Sequence, residues 1–340
     1  MNRVFIPLSL SQPEPVAADA ATQTLVGLTM GTSWSVKLMC PQGVDLHPIR
    51  QGIQQQLDLV VAQMSTWSDD SDLSRYNQAG PDTWHVVPAH FMNVLDCALN
   101  IAGRSGGAYD PSVGALVNLW GFGPVPIRSN HPDKPDAAAL AQARQRCGWQ
   151  RVRIDRQRHS VLQPGGLYLD FSAIAKGYGV DLVADYLRSL GIVSYLVEVG
   201  GELRGQGVKA DGQPWWVGIE QPPPAGPLCL RDEVQSIVAL HGVALATSGD
   251  YRRYVEADGS RYSHTIDPRS GQAIAHALAS VTVLHADCMT ADAWATALMV
   301  LGEEAGPALA LEAGLAALFV SRRDAGFSET MTPAMQAMLG

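Results

Sequence analysis

No two cysteines of this chain stand in a Cys-x-x-Cys spacing, and the five present (Cys40, Cys97, Cys147, Cys229 and Cys288) are scattered and odd in number. Neither a zinc cage nor a disulfide framework is indicated, so the thiols read as small buried hydrophobes. A dense basic run is missing too. The nearest approach is "QRVRIDRQRH" at 150–159, which reads as a charged hairpin, and the net charge is −9. Nucleic acid is therefore not an expected partner. Nor is there a long apolar run. The opening "MNRVFIPLSLSQPEPVAADAATQ" carries one short hydrophobic stretch broken by Pro7, shorter than a signal peptide's core and far too short to span a membrane, with no lipoprotein-like cysteine after it. Residues 1–22 are expected to be a flexible arm and the chain to be cytoplasmic. Residence on the periplasmic side of the inner membrane is the alternative if the start is truncated. Also absent are G-x-x-x-x-G-K-[ST], G-x-G-x-x-G after a strand and H-E-x-x-H, which disfavours P-loop, Rossmann and zincin readings.

What is present suffices for a large core. The 340 residues are 46% hydrophobic with mean hydropathy near zero, as in a soluble globular protein of one large domain or two. "LVGLTMGTSWSVKLMC" alternates like a strand pair and "LHPIRQGIQQQLDLVVAQMSTW" has helical periodicity, while "DSDLSRYNQAGP" reads as a polar, turn-rich loop. "HFMNVLDCALNIAGRSGG" and "DAAALAQARQRCG" read as helices. "AYDPSVGALVNLWGFGPVP" between them mixes glycine, proline and aromatics in a way no plain core element requires, as if to wrap something.

The second half is strand-rich. "LYLDF" reads as a short strand after which Ser172 caps a helix, "AIAKGYGVDLVADYLRSL", that Gly191 stops. Strand-like runs follow at "VSYLVEV", "ELRGQG", "WWVGIE", "VQSIVAL", "VALATS", "RRYVEA" and "RYSHTI", with "EADGSR" a hairpin signal. After "ASVTVL" come the helix "CMTADAWATALMVLG", another at "EEAGPALALEAG", and a last strand "LAALFV". The fold class is α+β: a mixed, largely antiparallel sheet core with packed helices. The main domain is expected over 23–325, with 326–340 a C-terminal tail.

Three constellations carry chemistry. Lys176 falls in the first turn of its helix, where the macrodipole disfavours a cation. It is either solvated and harmless or, with the helix N–H groups and Asp170 close by, turned toward an anion. Asp292 and Thr296 lie four apart, hence on one helix face. Their oxygens suit a hard cation such as magnesium, which takes few protein ligands; the other reading is a capping Asp followed by a Thr bonded back to its own helix. His264, beside Asp267 in "RYSHTIDPRSG", is either a general base or a structural hairpin histidine.

The ordered set "MGTSWSV" (30–36), "MSTWSDDSDLSRYN" (64–77), "AYDPSVGALVNLWGFGP" (108–124), "LDFSAIAKGYGVD" (169–181), "VEVGGELRGQG" (197–207), "ATSGDYRRY" (246–254), "HTIDPRSG" (264–271) and "TADAWATALMVLG" (290–302) resembles the ApbE family of FAD:protein FMN transferases, over residues 25–322. The resemblance implies FAD as substrate, bound by Met30, Trp67, Ala108, Tyr109, Asp110, Asp170, Lys176 and Ile266. It implies Mg²⁺ held by the Ala173 carbonyl, Asp292 and Thr296, with Asp292 also catalytic and His264 as general base. The implied reaction transfers FMN from FAD to a threonine or serine hydroxyl of an acceptor flavoprotein and releases AMP. An FAD pyrophosphatase and a non-catalytic flavin-binding protein are the alternatives. The chain departs from the family pattern at Ser112 and Ala115, which stand where threonine and proline are expected.

Overall fold

The computed structural model describes residues 3–8, 11–124, 134–222, 236–251, 254–257, 260–324 and 326–340. In chain order the first half contains β1 (Arg3–Phe5), β2 (Ala20–Thr29), β3 (Thr32–Pro41), α1 (His47–Met64), α2 (Asp72–Gln78), β4 (Thr83–Val86), α3 (Ala89–Arg104), α4 (Gly114–Leu119), α5 (Ala137–Arg144), β5 (Arg153–Asp155) and β6 (Ser160–Gln163). The second half contains α6 (Ala175–Ser189), β7 (Tyr195–Val199), β8 (Glu202–Gln206), β9 (Trp215–Gly218), β10 (Ser236–Leu240), β11 (Val243–Gly249), β12 (Tyr254–Ala257), β13 (Ser260–Ser263), β14 (Leu278–His285), α7 (Cys288–Glu312), β15 (Ala316–Arg323), β16 (Gly326–Met331) and α8 (Pro333–Gln336).

An eight-stranded sheet in the order β16-β15-β14-β11-β8-β7-β3-β2 organises the molecule, and every pairing in it is antiparallel. One face carries α6 and α7. Trp34, Val36 and Leu38 of β3 point there and pack with Ile53 and Leu57 of α1 and Val180, Val183 and Leu187 of α6. This is the two-residue alternation of a strand meeting the 3.6-residue stripe of two helices. A second cluster joins α3 and α7 through Phe91, Leu95, Trp294 and Leu298. The opposite sheet face is covered by a small sheet, β1-β10-β9, in which β1 runs parallel to β10. The α+β class is therefore observed, with the core sheet antiparallel throughout and a parallel pairing, β1 with β10, in the covering sheet. Among the described residues no helix is long and apolar enough to cross a membrane.

Several local expectations need correction. The expected arm over residues 1–22 is not free where it is described: β1 pairs with β10, Phe5 is fully buried, and Ile6 N–H donates to the Met338 carbonyl. A short apolar run interrupted by Pro7 is long enough for one strand of a covering sheet. The stretch 326–340 is likewise integral, since β16 pairs with β15 along its whole length and Met335 of α8 is buried. The "DSDLSRYNQAGP" loop holds α2, whose start is capped by Ser71 Oγ accepting the Ser74 N–H at 2.9 Å; polarity hid a capped helix. "LYLDF" forms only an isolated bridge, Tyr168 to Val113. Ser172 is not the cap of α6, which begins three residues later after Ile174 and has no side-chain cap. The helix at 288–302 does end at its glycine: Gly302 adopts φ 78°, ψ −164°, and breaks α7 into two segments. The hairpin of β12 and β13 is present, with its turn outside the described residues. Arg252 and Arg253 of "ATSGDYRRY", and Cys229, also lie outside them.

Candidate active site

The N-terminal turns of α6 and α7 meet beneath the sheet, and each helix supplies a carboxylate to the other. Gly177, in the first turn of α6, has an N–H with no partner in its own helix; it donates to Asp292 Oδ2 at 3.0 Å. In return Asp181 of α6 accepts from two amides at the start of α7, Cys288 N–H at 3.0 Å and Met289 N–H at 2.9 Å. Contact this close requires glycine at 177, because a Cβ there would lie 2.4 Å from the Cys288 carbonyl oxygen. Each negative charge sits at the positive end of its neighbour's dipole, which favours both.

From β8, two residues on the helix-facing side clamp α6. Glu202 pairs with Lys176 (Oε1 to Nζ, 2.5 Å) and Arg204 pairs with Asp181 (2.5 Å). Lys176 therefore has a carboxylate partner. Glu202 is almost fully buried and its Oε2 has no hydrogen-bond partner. Burial pushes its carboxyl up to about 7 against the pull of Lys176, with the Asp292 charge adding to the rise. For Lys176, burial is outweighed by Glu202 and Asp292, so its pKa is raised and it is charged. One turn beyond Asp292, Thr296 Oγ1 lies 3.0 Å from Ser248 Oγ of β11.

Tyr109 closes this region. Its ring is buried, its hydroxyl has no partner, and burial pushes the phenol well up, with Cys97, Asp292, Asp170 and Asp110 adding to the shift. Asp110 is occupied by its own loop and by the turn after α5, accepting from Ser112 N–H (2.8 Å), Ser112 Oγ (2.6 Å) and Trp149 N–H (3.1 Å). Ser112 thus supplies a hydroxyl where threonine was expected. Asp170 donates its N–H to the Pro111 carbonyl (2.7 Å) and accepts from Ser172 N–H, so the 108–111 and 169–172 motifs are stitched together. Ala108 is buried beside them, and the half-buried Ala173 lies in the turn that leads into α6. Met30, at the β2–β3 turn with φ 48°, approaches Gly179 of α6. Trp67 projects from the α1–α2 connection, 65% exposed.

His264 and Ile266 belong to another cluster. Ile266 packs with Leu116 and Trp120 of the α4 region, and His264 stands edge-on to Phe122 at 6.2 Å. Trp120 Nε1–H holds the 267–271 turn through the Gly271 carbonyl at 2.9 Å. A cleft of about 440 Å³ reaches the Gly200–Gly201 turn, where a Cβ on Gly200 would lie 3.3 Å from Lys176 Cδ. Another, of about 580 Å³, opens on the far side of α6 beside His90, Tyr178 and Asp181.

No group of three His, Cys, Asp or Glu that could hold a metal occurs among the described residues. A zinc-type centre is not built among those residues. The oxygen set at Asp292 and Thr296 suits a hard cation, which needs few protein ligands. The Gly177 bond uses only one of the two Asp292 oxygens, and the nearby Cys288 thiol is held protonated, burial and the Asp181 charge pushing its pKa well up. The donor chemistry fits Mg²⁺. Sequence reasoning passed over Glu202, Gly177, Asp181 and Arg204. The available signal was the Glu-x-Arg alternation in "GGELRG", which puts two opposite charges on the helix-facing side of one strand.

The model of the ApbE family matches residues 30–319, and the chain belongs to that family. The protein called FAD:protein FMN transferase in Vibrio cholerae serotype O1 is 43% identical over 317 residues, covering 93% of this chain and 92% of its own length. Its counterpart in Salmonella typhimurium is 38% identical, with 96% and 92% covered. Among solved structures, the apo flavinyl transferase ApbE of Pseudomonas stutzeri superposes with a TM-score of 0.84 at 39% identity, over 94% of this chain and 98% of that one.

Proposed function

We propose that this protein transfers the FMN moiety of FAD to a threonine or serine hydroxyl of an acceptor flavoprotein, forming a phosphoester and releasing AMP. The observation that carries the reading is the convergence of Lys176, Asp292 and Thr296 at the crossing of α6 and α7, in a chain of the ApbE family. The Ala173 carbonyl, Asp292 and Thr296 would hold Mg²⁺, whose chemistry is to withdraw charge from the pyrophosphate oxygens. Lys176, kept cationic by Glu202, faces the same developing negative charge. Met30, Ala108, Tyr109, Asp110, Asp170 and Ile266 form the walls of the flavin nucleotide site, and the exposed Trp67 ring offers a stacking surface. His264 takes the acceptor hydroxyl's proton as the oxygen attacks the FMN phosphorus. The new O–P bond forms as the anhydride P–O bond breaks, and AMP leaves with the bond's electron pair.

The test is AMP release, measured by chromatography from purified protein, FAD and Mg²⁺ with and without a threonine-containing acceptor. Release that follows acceptor concentration supports transfer. Equal release without any acceptor would make water the nucleophile and the protein a pyrophosphatase.

A further inference from the structure

We infer that Asp181, anchored by Arg204, is a positioning residue that sets the metal affinity of the site from outside it. The inference rests on the proposed assignment of Asp292 to Mg²⁺. The geometry behind it is a closed loop of contacts. Asp181 Oδ1 accepts from Cys288 N–H and Oδ2 from Met289 N–H, so both carboxylate oxygens grip the start of α7. Arg204 holds that carboxylate through Oδ1 at 2.5 Å. Asp292 follows Cys288 by four residues, about one helical turn, and returns to α6 through Gly177 N–H. The two helices are therefore pinned at two points on the same crossing, and with one Asp292 oxygen tied to Gly177 the direction of the other is set by how α7 sits on α6.

Only a carboxylate can do this. Its two acceptor oxygens match two successive helix amides, whereas an asparagine offers one acceptor oxygen, which can keep Cys288 N–H and Arg204, and turns its N–H donors toward the Met289 amide. The α7 start would then shift or fray, and Asp292 with it. Residues that orient a metal-binding side chain typically change affinity by roughly 10–100-fold when replaced. Asp181 contributes no oxygen to the metal in this account, so saturating metal should restore most of the rate.

The experiment compares wild type, Asp181→Asn, Arg204→Lys and Asp292→Ala as full-length proteins. For each, turnover is titrated with Mg²⁺, the Mg²⁺-induced rise in melting temperature is recorded with FAD present, and hydrogen exchange is followed at the Gly177 amide. Asp181→Asn should raise the half-saturating Mg²⁺ about tenfold or more, keep a kcat near wild type at saturation, and speed Gly177 exchange. Arg204→Lys, which keeps the charge but loses the guanidinium fork, should give a smaller shift in the same direction. Unchanged half-saturation in folded Asp181→Asn, beside an inactive Asp292→Ala, would overturn the positioning role alone. Should Asp181→Asn fail to fold, an unshifted Arg204→Lys overturns it equally. Wild-type turnover indifferent to Mg²⁺ would remove the metal assignment beneath the inference, and the inference with it.

Discussion

Gly177→Ala adds one methyl group at the tightest contact between α6 and α7, and its consequence can be worked from distances. The new Cβ would lie 2.4 Å from the Cys288 carbonyl oxygen, 2.7 Å from the Cys288 carbonyl carbon and 2.9 Å from Asp292 Cβ, where ordinary contact begins at 3.4 Å. Two of these atoms are backbone, so no rotamer change relieves the clash, and the helices must part by about 1 Å. Overpacking of this kind costs roughly 1–3 kcal/mol, which the roughly 0.5–1 kcal/mol that Ala gains over Gly as a helix former reduces to a net loss of about 0.5–2 kcal/mol. At about 2 °C per kcal/mol for a chain of this size, melting should fall by roughly 1–4 °C. The rate should suffer more. Parting the helices stretches the Gly177 N–H to Asp292 bond from its 3.0 Å, and a displacement of about 1 Å at a reacting site is enough to lose on the order of a hundredfold. Differential scanning calorimetry and a turnover assay at saturating FAD and Mg²⁺ read the two effects separately. Wild-type melting together with wild-type turnover would refute the claim that this crossing positions Asp292.

Three further substitutions probe other parts of the account. Asp292→Ala should abolish Mg²⁺-dependent turnover in a folded protein, with a stability loss of about 1–3 kcal/mol from the Gly177 N–H left buried without its acceptor, read by urea titration. His264→Ala should lower kcat on the order of a hundredfold or more while leaving FAD affinity, measured by flavin fluorescence, nearly unchanged; equal losses would pass the base role to a carboxylate. Asp287→Ala removes the N-cap of α7, where the Asp287 carboxyl, raised by burial but lowered further by hydrogen bonds with His285 and Thr290, sits near 2 against an ordinary 3.8. Its side chain is 37% exposed, so screening limits the stabilisation to about 1 kcal/mol. A depressed pKa gives stability that is present above 3.8 and lost as pH falls through 2. The wild-type advantage in denaturant titration should hold at pH 7 and shrink between about pH 4 and 2.

Much of this was legible in the chain because periodicity and turn chemistry are local. The α6 and α7 helices, the glycine break at 302 and the strand alternation of β2 and β3 all follow from residues within a few positions of one another. What was hidden depends on partners distant in sequence. A strand as short as β1 has no signature of its own, and its partner begins at Ser236. The partner of Lys176 is Glu202, supplied by a different strand, and no spacing rule connects them. Ser172 looked like a cap from its position before an apolar-periodic segment, but the chain makes one more turn first, bonding Ile174 N–H to the Phe171 carbonyl. The polar composition of α2 resembled a loop because its helix is short and amphipathic, with only Ser71 to mark its start. The motif order pointed to the family, and the structure added the reciprocal capping that joins two of those motifs.

The central claim is that the phosphorus of FAD is delivered to an acceptor hydroxyl, and intact-mass spectrometry of the acceptor tests it most directly. With FAD and Mg²⁺ the acceptor should gain the mass of one FMN less water, and with free FMN in place of FAD it should gain nothing, because FMN carries no AMP leaving group. An acceptor whose target threonine is changed to alanine should stay unlabelled, and one with serine should retain some labelling. Labelling by free FMN, or labelling that survives loss of the hydroxyl, would contradict the account.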